Sequence, residues 1–181
     1  MKLLIASDIH GSAYYCKKLV DAFSKEKADR LILLGDILYH GPRNDLPREY
    51  NPKAVIKMLN ELKDKILCIN GNCDAEVDSM VLDFTLFKDY KVLTIDNKVF
   101  YLTHGHMFNT DNPPPMREND ILIHGHTHIS CCESFGDNNL YLNPGSVSIP
   151  KENTQNGYMI YENNIFIWKN IEGNTLFTQN I

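Results

Sequence analysis

The chain has 181 residues, a net charge of −5 at pH 7, and ordinary shares of apolar and charged side chains. That length gives one domain, spanning residues 1–181, with enough core to fold alone. The acidic balance argues against a basic face for nucleic acid or anionic membranes. No apolar run reaches the roughly 18 residues of a membrane span, so a cytoplasmic site is expected by default.

The first strand is Leu3-Leu4-Ile5, too short an apolar run for a signal peptide. Ser12 is a good N-cap, and Tyr15, Leu19, Ala22 and Phe23 follow at helical spacing. Arg30–Leu34 reads as a second strand. Pro52 can start a second helix with an apolar face of Ala54, Val55, Met58, Leu59 and Leu62. Lys65–Ile69 is the third strand, which completes a βαβαβ pattern with parallel strands. Beyond it come shorter strands: Tyr90–Ile95, Lys98–Thr103, Asp120–His124, Ser130–Phe135 and Leu140–Leu142. A closing meander spans Gly157–Trp168, with Asn163-Asn164 as its turn. Two sheets packed face to face with flanking helices fit this order. Two long loops, Ile37–Asn51 and Gly105–Asn119, leave from strand ends and should rim a pocket. The five cysteines, Cys16, Cys68, Cys73, Cys131 and Cys132, are odd in number and contain no C-x-x-C. They form neither a disulfide framework nor a zinc ribbon.

Five apolar runs end in residues that bind metals: Asp8-Ile9-His10, Gly35-Asp36, Gly71-Asn72, His104-Gly105 and Gly125-His126-Thr127-His128. In open α/β sheets, ligands bind beyond the carboxyl ends of the strands. Singly, each motif could be an ordinary turn. Jointly, five strand ends on one sheet edge aim two carboxylates, four imidazoles and one amide at one pocket, too many donors for a single ion. Asp8 and His10, two residues apart, are expected to share a strand face. The mixed nitrogen and oxygen set suits Mn²⁺, Fe, Co²⁺, Ni²⁺ or Zn²⁺ rather than Ca²⁺.

In order and spacing these motifs resemble those of the calcineurin-like metallophosphoesterases. The resemblance covers nearly the whole chain, including Asn143-Pro144-Gly145-Ser146. The stretch from Gly35-Asp36 to His40-Gly41-Pro42-Arg43-Asn44, with Gly71-Asn72-Cys73-Asp74, is most similar to the YfcE-type phosphodiesterase branch. The resemblance implies a four-layer α-β-β-α sandwich with two mixed sheets. It implies one divalent ion, most often Mn²⁺, on Asp8, His10, Asp36 and His128. A second would sit on Asp36, Asn72, His104 and His126, with Asp36 bridging. It further implies in-line attack on a small phosphodiester by a hydroxide held between the ions. A phosphomonoesterase or protein phosphatase, and a non-catalytic scaffold of the same fold, are the alternatives. A homo-oligomer is compatible with the sequence; a nucleic-acid substrate is disfavoured by the charge.

Many relatives carry His where this chain has Cys73, and that His assists the leaving oxygen. A neutral thiol is a weak donor. The expected catalytic residues are Asp36, Asn72 and His106; His40, His106 and Arg43 are the candidates to replace the missing acid, with His106 nearest to a ligand in sequence. Arg43, His40 and Cys73 are the expected substrate contacts. His124 reads as a satisfied core residue or one that supports the metal ligands from behind, and Asn143-Pro144-Gly145-Ser146 as a turn that shapes the pocket floor.

Overall fold

A computed structural model describes residues 1–181. The chain opens with β1 (Leu3–Ala6), α1 (Ala13–Glu26), β2 (Arg30–Leu33), α2 (Pro52–Asn60) and β3 (Ile66–Ile69). A two-residue strand β4 (Leu86–Phe87) follows, then β5 (Tyr90–Ile95), β6 (Lys98–Thr103), β7 (Ile121–Ile123), β8 (Ser130–Phe135) and β9 (Asn139–Pro144). The chain closes with β10 (Gly157–Glu162), β11 (Ile165–Asn170) and β12 (Thr175–Asn180). Short 3₁₀ segments cover Lys63–Lys65 and Glu76–Met80.

Local chemistry sets the helix ends. The Ser12 hydroxyl accepts the Tyr15 N–H at 3.3 Å, capping α1 as expected. Asn51 Oδ1 accepts the Ala54 N–H at 3.2 Å, and Pro52 occupies a position where no N–H is needed. Because α2 stops at Asn60, Leu62 lies beyond it, though it still packs on the same core.

Seven strands form a mixed sheet in the order β12-β11-β10-β1-β2-β3-β4, and five form a second in the order β5-β6-β7-β9-β8. Each contains a parallel triplet, β1-β2-β3 in one and β6-β7-β9 in the other. The pleat divides β1 and β2 between two cores. Leu4, Ala6, Leu31 and Leu33 face α1 and α2. Leu3, Ile5 and Ile32 face the second sheet, against Phe100, Leu102, Ile121 and Ile123. Burial on both faces is why these strands read as continuous apolar runs. Each such side chain contributes about 1.5–3 kcal/mol. The core between the sheets therefore fixes one rim of strand ends against the other.

Both helices lie on the outer face of the larger sheet. The outer face of the smaller sheet carries Tyr101, Leu122 and Tyr141, with Met116 packed on them and the Tyr101 hydroxyl donating to Pro115 O at 2.9 Å. That outermost layer is loop where the four-layer expectation places helix. Pro113-Pro114-Pro115 supplies no N–H for one. The meander also runs further than expected, because β12 adds an edge strand whose Thr175, Thr178, Gln179 and Asn180 give no apolar alternation.

Candidate metal centre

The seven donors do not lie on one sheet edge. Asp8, His10, Asp36 and Asn72 follow β1, β2 and β3 of the larger sheet, whereas His104, His126 and His128 follow β6 and β7 of the smaller one. The two parallel triplets open on a shared rim. Nor do Asp8 and His10 share a strand face. Both lie past the end of β1, in left-handed backbone at φ 58° and 49°. Asp36, His126 and His128 are also left-handed, at φ 56°, 65° and 63°. That backbone costs an L-residue roughly 1–2 kcal/mol, and such strain gathers at functional sites.

Side chains behind the donors hold these turns. Ser146 and Ser148 donate their hydroxyls to Asp8 O at 2.8 and 3.0 Å; they follow β9, which takes in Asn143 and Pro144 where a turn was expected. Asp74 accepts three backbone N–H groups: Asp36 and Gly71 at 2.8 and 2.7 Å on one oxygen, Ile37 at 2.7 Å on the other. It thereby staples the β2 turn to the β3 turn, although burial pushes its carboxyl up to about 6. The two turns approach so closely that a Cβ on Gly35, at φ 97°, would sit 2.6 Å from Gly71 N and 2.8 Å from His104 Nδ1.

Three imidazoles are fixed by backbone carbonyls. His10 Nδ1 meets Tyr39 O at 2.7 Å, His104 Nδ1 meets Leu34 O at 2.6 Å, and His128 Nδ1 meets Ile149 O at 2.8 Å. With Nδ1 donating, each Nε2 points into the cluster, the arrangement that orients metal-bound histidines. The Nε2 atoms of His10 and His128 stand 3.2 Å apart. His104 Nε2 lies 3.0 Å from Asn72 Oδ1 and 3.2 Å from His126 Nδ1. Asp36 has one oxygen toward each half: Oδ1 is 3.4 Å from His104 Nε2 and Oδ2 is 3.6 Å from His10 Nε2. Asp8 Oδ1 lies 3.2 Å from His128 Nε2, yet it is buried and accepts no hydrogen bond.

The electrostatics fit the same picture. Burial opposes ionisation of Asp8, but the imidazoles of His10, His128 and His104 outweigh it and hold the carboxyl well below its usual range. Asp36 is likewise lowered, with His104 overcoming burial. Burial and then His104 push His126 down to about 4, which leaves its lone pair free near neutrality. An orphaned buried carboxylate oxygen, converging imidazole nitrogens and two ionised acids at one spot are what divalent cations neutralise. The donors therefore fit a divalent metal, with Asp8, His10 and His128 close enough to share one ion and Asp8, Asp36 and His104 close enough to share one.

A cavity of about 440 Å³ opens over this cluster. Asn72, Cys73 and Arg43 line it, as expected. His40 does not: its ring packs edge-on against Tyr39 and Tyr50, at 4.7 and 5.3 Å between centroids. His106 is exposed and stands off the cavity wall, 5.3 Å from His104 and 6.2 Å from His126 between centroids. Burial and His104 lower its pKa, so it is a poor acid at neutral pH. His124 lies just past β7, behind the donors and stacked on Tyr141 at 4.2 Å; its Nδ1 meets Gly125 O at 3.0 Å, while its buried Nε2 has no partner. Lys151, Thr127 and Asn44 line the cavity without having been singled out in the sequence. Lys151 follows a turn and carries no motif, so only the fold reveals it.

Fold and donor set define a metal-dependent hydrolase built on two mixed sheets. The calcineurin-like phosphoesterase superfamily domain matches residues 1–164. Phosphodiesterase YfcE of Escherichia coli K12 is 42% identical over 165 residues, which is 91% of this chain and 89% of that protein. Phosphodiesterase MJ0936 of Methanocaldococcus jannaschii is 27% identical over 152 residues, 80% and 83% of the two chains. The solved structure of the E. coli phosphoesterase YfcE overlays with a TM-score of 0.96 at 38% identity, across 100% of both chains. This chain belongs to the calcineurin-like phosphoesterase superfamily.

Proposed function

We propose that the protein is a phosphodiesterase that hydrolyses a small phosphodiester with two divalent cations, Mn²⁺ first among them. The observation that carries this reading is the Asp36 carboxylate, which stands between two groups of donors with one oxygen toward each. Asp8, His10, Asp36 and His128 would hold one ion; Asp36, Asn72, His104 and His126 would hold the other. When bound, such a pair polarises phosphoryl oxygens and ionises water near neutral pH. The chain's own part is to aim its imidazoles by carbonyls, to keep the two half-sites in register through Asp74, and to offer Arg43 as a forked donor to phosphoryl oxygens. The five unpaired cysteines suit a reducing, cytoplasmic setting.

Diesters are favoured over alkyl monoesters by the cavity's lack of a good proton donor. Burial and the Asp36 carboxylate push the Cys73 thiol up to about 12, so it stays neutral and donates weakly. The test is a panel of aryl diesters, aryl monoesters and alkyl monoesters with Mn²⁺ present. Aryl diesters should turn over fastest. Faster turnover of alkyl monoesters would overturn the reading.

Cys73→His should raise rates on alkyl leaving groups more than on aryl ones, flattening the dependence of rate on leaving-group pKa. The gain should stay well below the roughly 10²-fold that a positioned acid provides. The reason is Asp74, which is already held by three backbone N–H groups and has only one acceptor site left, on Oδ1, fixed in direction by the turns it joins. Equal slopes for the two proteins would put Cys73 away from the leaving group.

His128→Ala should show a smaller rise in melting temperature on adding Mn²⁺ than the unmodified chain. Each ion bound at a hundredfold excess over Kd stabilises by about 2.7 kcal/mol. Thermal scans with and without Mn²⁺ check this, and an equal rise would remove His128 from the ligand set.

A further inference from the structure

The cavity wall is polar and cationic beyond what one phosphodiester monoanion uses. Most of its lining residues are polar or charged, Pro42 and Cys73 being the least polar, and no Phe, Tyr or Trp lines it, so a lipid arm finds little apolar surface. Lys151 and Arg43 are its two cationic side chains, and neither belongs to any ion pair of the chain.

Both rim segments are tied to the cluster by backbone. The Lys151 N–H donates to His128 O at 3.0 Å, and the Thr154 hydroxyl braces the same turn at Lys151 O, 2.7 Å away. On the other side Tyr39 O meets His10 Nδ1 at 2.7 Å, and the Asn44 amide donates to His40 O at 2.8 Å, closing the turn that carries Arg43. His10 and His128 are themselves adjacent, with Nε2 atoms 3.2 Å apart. Both cations line the cavity that holds His10 and His128. Thr127 lines it too, and its hydroxyl accepts from the Asn143 amide at 3.0 Å.

We infer that the substrate is a small phosphodiester whose non-leaving arm is polar and carries a second anionic group, and that Lys151 with Arg43 selects it. This rests on the phosphodiesterase reading above. The cavity of about 440 Å³ suits a small molecule rather than a polymer.

The test keeps one leaving group, p-nitrophenolate, and varies the other arm of the diester: 2-carboxyethyl, 2-phosphonoethyl, propyl or choline. At low salt the Mn²⁺-loaded protein should prefer either anionic arm to propyl by about tenfold in kcat/KM, the size two partly exposed ion pairs reach together. Choline should be worst, and the two anionic arms separate a carboxylate from a phosphate preference. Kd values for p-nitrobenzylphosphonate esters with the same arms, whose P–C bond does not hydrolyse, should follow the same order by calorimetry. Lys151→Glu and Arg43→Glu should reverse the ratio toward choline in both measurements. A charge-independent series, or the same ratio in the unmodified chain and both variants, overturns the inference while leaving the phosphodiesterase reading intact. Failure to hydrolyse any of the four diesters overturns both.

Discussion

Asp36→Asn should lower diester hydrolysis by about 10³-fold or more at saturating Mn²⁺. The substitution keeps the size and one oxygen of the side chain, but removes one of the two carboxylate charges in the cluster. Asp36 Oδ1 also accepts the Cys73 N–H at 2.8 Å. An Asn that points its amide nitrogen there sets donor against donor, and one that turns over presents that nitrogen to the other half of the site. Either way one half keeps only a neutral carbonyl oxygen and the other loses its oxygen or gains a clash of donors. Stabilisation of transition-state charge by a bound ion amounts to several kcal/mol, and each 1.36 kcal/mol is tenfold in rate, which gives about 10³. Substitutions at Asn72 or His126 should cost less, since each reaches one half only. Steady-state rates together with metal analysis check this. Two ions per chain and a rate within tenfold of the unmodified protein would take Asp36 out of the shared position.

Chelation should abolish activity and lower the melting temperature by about 10–20 °C. Two sites at about 2.7 kcal/mol each, at a hundredfold excess of metal, sum to roughly 5 kcal/mol, and a chain of this length shifts about 2–4 °C per kcal/mol. The metal-free cluster also holds protons. Burial lowers His104, but the Asp36 and Asp8 carboxylates outweigh it and raise the ring to about 9. A cation on Nε2 must displace that proton. Metal affinity should therefore tighten as pH rises toward 9, by up to about tenfold per unit for one proton released. Calorimetry in two buffers of different ionisation enthalpy reads the release directly. A folded protein that keeps full activity after chelation, with no metal by elemental analysis, would end the metal-dependent reading.

The converging donor cluster could be read from the sequence because its residue types are chemically distinctive and because the strands before them are buried on both faces. Leu31–Leu34 and Ile121–Ile123 announce themselves as apolar runs, and Asp36 and His126 then stand out at their ends. Strand pairing could not be read, since nothing local says that β3 and β6 belong to different sheets. The left-handed turns were hidden for a related reason. Asp8 at φ 58° is held by Ser146 and Ser148, which lie about 140 positions away in the chain. The direction of a rim side chain is equally non-local. His40 turns to Tyr50 while Arg43, three residues on, faces the cavity. Asp74 could be seen as an acid beside Asn72, but its use as a fastener between two turns depends on how closely Gly35 and Gly71 approach.

The split origin of the donors, four from the larger sheet and three from the smaller, has a dynamic consequence. Without cations the sheets meet through apolar packing and a few hydrogen bonds, such as His104 Nδ1 to Leu34 O and the Ser146 hydroxyl to Asp8 O, contacts that local opening of either sheet can break. A cation shared between Asp36 and His104 joins the two across the sandwich. Amide exchange should then change character on metal loading. The slowest amides of β1–β3 and of β6, β7 and β9, which can differ in opening free energy in the metal-free protein, should converge on one global value. The centre is thus a rivet through the fold as well as a place for chemistry.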